Sequence, residues 1–129
     1  MPIQRLGILN PVANDVTPLV TFSSAYLVSV IVANKATTTT PLTKVSIWTV
    51  PSGATIDAQY SYLAFNLQVP LGSSFETFRF AVNPGDVIYV RSTVSTASFT
   101  CIGIPQDDAA QPAAIAQVFT NKVIRGVSN

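Results

Sequence analysis

The residues of this chain that could do chemistry are few and follow no catalytic pattern. The chain has no histidine, so its one cysteine, Cys101, has no imidazole to activate it. An aspartate in or beside a turn commonly bonds its own backbone, which accounts for three of the carboxylates. The six carboxylates are scattered, at Asp15, Asp57, Glu76, Asp86, Asp107 and Asp108. We therefore predict no catalytic residue and no enzyme.

Metal and cofactor sites are not expected either. A lone cysteine without histidine cannot supply the spaced ligand set that zinc requires. The pair Asp107 and Asp108 could contact Ca²⁺, but it lacks further oxygen ligands at spaced positions. Neither a phosphate-binding loop nor a dinucleotide-binding turn occurs in the sequence. The sequence thus predicts no metal ligand and no cofactor.

The composition indicates a surface made for contact with other proteins. Charged residues make up 10% of the chain, against about 25% in an ordinary domain, and the mean hydropathy is +0.41. The net charge of +1 argues against nucleic acid or a membrane surface as a partner. A surface so poor in charge is typical of a subunit covered by its neighbours. A monomer with a neutral, threonine-rich coat is the alternative.

Short β-branched and aromatic runs, each closed by Pro, Gly, Asn or a Thr cluster, predict an all-β fold. We expect an antiparallel β-sandwich or jelly roll in residues 1–105. The strand near residues 26–33 is apolar on both faces and should be central. About eight strands are expected, near residues 4–9, 19–22, 26–33, 44–50, 59–69, 75–82, 86–91 and 98–104.

In two of these strands, the alternation of side chains predicts which face is buried and which is exposed. In residues 59–69 one face should be core and the other should carry Tyr60 and Tyr62. The expected core residues there are Leu63, Phe65, Leu67 and Val69. In residues 75–82 the expected core residues are Phe78, Phe80 and Val82, with Thr77 and Arg79 opposite. The two tyrosines, with Trp48 and Tyr89, could form a platform for sugar, although core or interface packing explains such rings equally.

The stretch Asn83, Pro84, Gly85 and Asp86 predicts a structural turn of type II. Proline sets the dihedral φ of the second position, and glycine allows the positive φ of the third. We expect a hairpin, with residues 86–91 returning antiparallel to residues 75–82. The turn would set the register so that Phe78, Phe80 and Ile88 reach the core.

Residues 106–129 form an Ala-rich and polar C-terminal arm, extended or a short helix that starts around Pro112. We predict that this arm docks on a neighbouring subunit. Its apolar residues, together with the two tyrosines, are the expected interface: Tyr60, Tyr62, Ile115, Val118, Phe119 and Val123.

Three segments, QRLGILNPVANDVTPLV, YLVSVIVANK and FETFRFAVNPGDVIYV, together resemble small virion structural proteins of tailed bacteriophages, especially those that infect cyanobacteria. The resemblance covers residues 1–105. It rests on an N-terminal R-x-G strand with Arg5 and Gly7, on the strand of residues 29–35, and on an aromatic strand pair joined by a Pro/Gly-Asp turn in residues 75–86.

The resemblance implies a non-enzymatic β-sandwich subunit of the virion, assembled in the host cytoplasm, that decorates or cements a capsid or attaches to a tail. It also implies a homo-oligomer, with a trimer as one option, and contacts with other virion proteins such as the major capsid or tail proteins. A receptor- or carbohydrate-binding knob of a tail fibre or spike is the alternative function.

Overall fold

The computed structural model of the chain describes residues 3–56 and 62–106. Within these residues the fold is all-β, as the sequence predicts. The division of the expected strand 75–82 into two accounts for nine strands instead of about eight. The strands are β1 (Gln4–Leu9), β2 (Thr17–Thr21), β3 (Tyr26–Asn34), β4 (Lys44–Val50), β5 (Tyr62–Gln68), β6 (Ser74–Glu76), β7 (Phe80–Val82), β8 (Val87–Ser92) and β9 (Ala97–Pro105).

The strands form two antiparallel sheets that pack as a β-sandwich. Sheet A has the order β1-β9-β3-β6, with β7 also paired to β3, and sheet B has the order β2-β8-β4-β5. Strand β3 is central in sheet A, as its two apolar faces predict, and pairs with β9 along its whole length. Sequential strands therefore alternate between the sheets at several points of the chain.

The core lies between the two sheets and is built from every second residue of the central strands. From sheet A it receives Val28, Val30 and Val32 of β3 and Phe99 and Cys101 of β9, all at most 1% exposed. Sheet B supplies the facing aliphatic residues of β4 and β8, namely Val45, Ile47, Ile88 and Val90. Burying each such side chain contributes about 1.5–3 kcal/mol, so this interleaved layer stabilises the sandwich.

The turn at Asn83–Asp86 has the predicted local geometry, but the predicted hairpin is wrong. The Asp86 N–H donates to the Asn83 carbonyl oxygen (3.1 Å), and φ of Gly85 is 91°. Strand β7 belongs to sheet A and β8 to sheet B, so the turn connects the two sheets. Its backbone is held by Phe22, whose N–H donates to Asp86 O (2.9 Å) and whose carbonyl accepts from the Gly85 N–H (2.8 Å).

The prediction that Phe78 reaches the core is also wrong, because a bulge interrupts the expected strand. Phe78 is 75% exposed and Thr77 is only 5% exposed, the reverse of the expected faces. Residues 77–79 separate β6 from β7 and shift the alternation. Phe80 packs against the core and Ile88 is fully buried, as expected.

Strand β5 shows a second departure from alternation. The expected core residue Phe65 is 61% exposed, whereas Ala64 is buried. The pairing of β5 with β4 shifts register twice, between Val45 and Trp48 of β4. Asn66 lies within this irregular stretch with a positive φ of 48°, and its N–H donates to Ser46 Oγ (3.0 Å). The extra residues of β5 turn the Phe65 ring outward.

Candidate functional site

Four aromatic side chains form a row on the outer face of sheet B, which we call the aromatic row. Trp48 of β4 lies directly opposite Tyr89 of β8 and Tyr62 of β5. The Trp48 ring stacks on Tyr89 with centroids 5.9 Å apart and tilts against Tyr62 at 5.2 Å. Phe65 meets the Tyr62 ring edge-on at 5.0 Å. Cross-strand pairing therefore assembles Tyr89, Trp48, Tyr62 and Phe65 into one surface.

Trp48 is the centre of the aromatic row and is not open to a ligand. Its side chain is 3% exposed, and its indole N–H donates to the Ile56 carbonyl oxygen at 2.7 Å. The turn that follows β4 thus lies against the indole. Phe65, at 61% exposed, is the most open ring of the row, while Tyr62 and Tyr89 are half-buried. Only these three rings can offer apolar area to a partner.

The outer face of sheet A carries a second candidate surface, which is apolar. Leu27 and Ile31 of β3 and Ile102 and Ile104 of β9 alternate with core residues and are half-buried. Beside them on β1, Ile8 is 62% exposed. We call these residues, together with the groove described next, the outer face of sheet A. So many aliphatic side chains on the outside of a sandwich require a partner or leave an apolar patch in water.

A shallow groove crosses the outer face of sheet A beside the bulge of residues 77–79. It is half open to solvent and encloses about 60 Å³, far less than the roughly 300 Å³ at which pockets for small organic ligands begin. The groove fits a side chain or a few waters better than a cofactor. It is lined by Ile3, Leu27, Val28, Ser29, Glu76, Arg79, Ile102, Gly103 and Ile104.

Thr77 holds the bulge to sheet A by replacing a backbone acceptor with its hydroxyl. Its N–H donates to the Val30 carbonyl oxygen (2.9 Å), and the Val30 N–H donates to Thr77 Oγ1 (2.9 Å). The backbone N–H and carbonyl of Val30 therefore both have hydrogen-bond partners, although residues 77–79 interrupt the strand beside it. Because Thr77 is anchored, the next two residues, Phe78 and Arg79, are presented at the edge of the sheet.

Ser29, in the groove, is hydrogen-bonded to the groups around it. Ser29 is 4% exposed, and its Oγ lies 2.9 Å from the Thr77 carbonyl oxygen and 3.1 Å from Glu76 Oε2. The single hydroxyl proton is given to one of these acceptors or shared between them. A carboxylate that only accepts from a buried serine can position that serine, and the chain has no imidazole to activate it.

Cys101 is buried in the core and is no nucleophile. Burial raises the pKa of its thiol from 9.0 to about 12, because the thiolate would lose its hydration. In the part of the chain that the structure describes, no three His, Cys, Asp or Glu side chains come together as a possible metal site. Among the same residues, no helix has the length and apolar character of a membrane span.

The sequence-predicted site residues fall into three groups. Asn83, Pro84, Gly85 and Asp86 form the predicted turn, with the Asn83 N–H also donating to Asp86 Oδ2 (2.8 Å). Tyr62 stands in the aromatic row, and its role as an interface residue stays a prediction. Five of the expected interface residues lie outside the described residues: Tyr60, Ile115, Val118, Phe119 and Val123.

Sequence reasoning missed the outer face of sheet A. Two signals point to it: β3 is apolar on both of its faces, and the same pattern recurs at Ile102 and Ile104 of β9. A strand with two apolar faces is expected at the centre of a sheet. It is also what an interface on the outside of a sandwich produces.

Comparison with known proteins adds no family. The chain matches no protein-family model and no curated protein at a significant level.

Proposed function

We propose that this chain is a non-enzymatic structural subunit of a bacteriophage particle. In this function it decorates or cements the capsid or attaches to the tail, and it acts through protein–protein contacts. The observation that carries the proposal is the outer face of sheet A, an apolar surface on the outside of a chain with 10% charged residues. An apolar patch of this kind is typical of a protein interaction site.

The phage assignment is supported by the three sequence segments that resemble virion proteins. In the fold they span β1 and β2, all of β3, and the run from β6 to β8. They thus include β3 and the bulge, which line part of the groove, and the turn between the two sheets. A subunit of this kind needs a rigid scaffold with contact surfaces, and a symmetric shell can multiply weak contacts into tight attachment.

The proposal is tested on purified particles of the phage whose genome encodes the chain. An antibody against the recombinant protein, used in immunogold electron microscopy, should label intact particles at a fixed location. Mass spectrometry of the same particles should find the chain in a constant ratio to the major capsid protein. Purified infectious particles that lack the chain would refute a structural function in the virion.

The predicted C-terminal arm gives a second test of attachment. Deletion of residues 109–129 should release the protein from particles while far-UV circular dichroism still shows a folded β-sandwich, because the core strands end at Pro105. Full occupancy of particles by the truncated chain would show that the arm does not anchor the subunit.

A receptor- or carbohydrate-binding knob is the second candidate function, and the aromatic row is the observation that favours it. Three rings of this row are accessible, and two of them, Tyr62 and Phe65, are in contact with each other, as rings on faces that stack on sugars are. Tyr62→Ala and Phe65→Ala should then abolish glycan-array binding or host adsorption and leave particle occupancy unchanged. Phe78→Ala, an exposed ring in sheet A, is the matched control and should not affect adsorption.

A further inference from the structure

The outer face of sheet A carries three charged residues at its two margins. Arg5 of β1 is exposed and pairs with Ile102 of β9, so it lies on this face. Glu76 of β6 and Arg79 of the bulge line the groove at the opposite margin. An occupant that covers all three must bring apolar side chains for the centre of the face, carboxylates for the arginines and a cation for Glu76.

The edges of the two sheets are irregular and do not favour the addition of another strand. Strand β1 shifts register between Arg5 and Gly7, and β2 contains Pro18 and shifts register directly after it. Strand β5 shifts twice against β4, and the bulge of residues 77–79 separates β6 from β7. Irregular edges of this kind discourage pairing with a further strand. A segment that binds the sandwich is therefore expected on a face.

The C-terminal segment leaves the sandwich beside the outer face of sheet A. Strand β9 ends at Pro105, and the Gln106 N–H donates to the Ala25 carbonyl oxygen at 2.9 Å. Ile104, one residue before the end of β9, lines the groove. Residues 107–129 thus continue from the margin of the groove, and a short connection of this kind gives a segment an effective concentration in the millimolar range.

The charges of the face lie at different distances from this exit. Measured along β9 from Ile104, Arg5 is one two-residue step away, about 7 Å, because it pairs with Ile102. Glu76 is two such steps away, about 14 Å, because the pairing of β6, β3 and β9 sets it level with Thr100. The bulge places the second arginine between these two levels. Both arginines are therefore nearer to the exit than the glutamate.

The order of charges along residues 107–129 matches the order on the face. Asp107 and Asp108 come first, and Lys122 follows after an apolar run. A segment that turns back over the face therefore brings its carboxylates to the arginines first and its lysine to the glutamate further on. Pairs of this kind form charge-assisted hydrogen bonds, which fix the position of the segment.

A helix that begins at Pro112 fits these distances. It rises about 15 Å from Pro112 to Lys122, against about 14 Å along the strands from Ile104 to the level of Glu76. Residues 107–111 are then left for the reversal of direction after β9. The helix would turn its apolar side, which also carries Lys122, toward the aliphatic residues of the face. The apolar side consists of Ile115, Val118, Phe119 and Val123.

We propose that residues 107–129 cover the outer face of sheet A of their own chain in the isolated subunit. The two aspartates lie beside the two arginines, and Lys122 lies beside Glu76. This inference deepens the proposed function and rests on it for the particle, where the same contact is made with a neighbouring subunit. Exchange of an identical segment between copies keeps every contact of the segment and turns it into an anchor.

The test is cross-linking of the full isolated chain with a carbodiimide, which joins a lysine amine directly to a neighbouring carboxylate, followed by peptide mapping of the monomer band. We expect a link between Lys122 and Glu76. Phe119→Asp should reduce its yield by about tenfold or more, because a charge on the apolar side of the helix opposes docking. The same variant should raise the fluorescence of a dye that binds exposed apolar surface by about threefold or more, because the face is then uncovered.

Gln117→Asp is the matched control, because it adds the same charge on the opposite side of the helix. Both its cross-link yield and its dye fluorescence should stay within about twofold of the wild type. Circular dichroism confirms that each variant is folded.

Three results overturn the proposal. The first is the absence of the link between Lys122 and Glu76, or its presence in the dimer band alone, which would show that a neighbour's segment occupies the face. The second is an equal effect of Phe119→Asp and Gln117→Asp. The third is a wild type that binds the dye as strongly as Phe119→Asp, because the face would then be open to a second copy or to another protein.

The two proposals fail in different ways. Absence of the link in the isolated chain, with continued labelling of particles, would leave the proposed function standing. Particles that lack the chain would remove the proposed function, whereas the link in the isolated chain would still support the contact between the segment and the face.

Discussion

Replacement of Thr77 by valine tests the physical basis of the bulge. Valine has nearly the shape of threonine but lacks the hydroxyl that accepts the Val30 N–H at 2.9 Å. Val30 is fully buried, so water cannot replace the lost acceptor. A buried donor left without a partner costs about 1–3 kcal/mol, and we expect Thr77→Val to lower the free energy of unfolding by about 2 kcal/mol.

Thr77→Ser is the matched control, because serine keeps the hydroxyl and loses one methyl group. Its expected cost is about 0.8 kcal/mol. At roughly 4 °C per kcal/mol for a chain of this length, the Tm should fall by about 8 °C for valine and about 3 °C for serine. The fluorescence of Trp48, the one tryptophan of the chain, follows both experiments: urea unfolding measures the free energy of each variant, and thermal unfolding measures its Tm.

The ranking of the two variants decides the outcome. Propensity alone favours valine in a strand as much as threonine, so a fold that did not need the hydroxyl would tolerate valine better than serine. If Thr77→Val is as stable as Thr77→Ser or more so, the hydroxyl does not replace a backbone acceptor, and the account of how Phe78 and Arg79 are presented would be wrong.

Three further predictions concern the core and the turns. The raised pKa of Cys101, about 12 against 9.0, leaves stability unaffected below pH 9. Above that pH the unfolded chain ionises first, so wild-type stability should fall by up to about 1.4 kcal/mol per pH unit more than that of Cys101→Ala, measured by urea unfolding at pH 8–11. Gly85→Ala should lower the Tm more than Gly53→Ala. Both glycines have a positive φ (91° and 85°), but only at Gly85 would a Cβ lie 2.7 Å from a serine side chain. Equal changes in Tm would show that the clash with this serine does not contribute. Asn34→Ala should lower the free energy of unfolding, measured by urea unfolding, by about 2 kcal/mol, because Nδ2 of this buried residue donates to Val69 O at 2.8 Å. A decrease of less than about 0.5 kcal/mol would contradict that role.

The sequence by itself determined those features of the protein that depend only on residues close together along the chain. The alternation of β4 and β8 places Val45, Ile47 and Ile88 in the core because side chains of a strand alternate whatever the strand pairs with. The Asn83–Asp86 turn has its predicted geometry because proline and glycine set their own φ. The absence of histidine from the sequence likewise excludes imidazole chemistry whatever the fold.

The tertiary structure alone decided which strands pair and where alternation breaks. The Asn83–Asp86 turn is local, but β7 pairs with β3 and β8 with β2 and β4, because those edges are supplied by distant parts of the chain. Phe78 and Phe65 face outward because bulges against β3 and β4 insert extra residues, which locally remove these two rings from the core-facing alternation. The outer face of sheet A exists for the same reason: its aliphatic residues come from strands far apart in sequence, and long-range pairing alone brings them onto one surface.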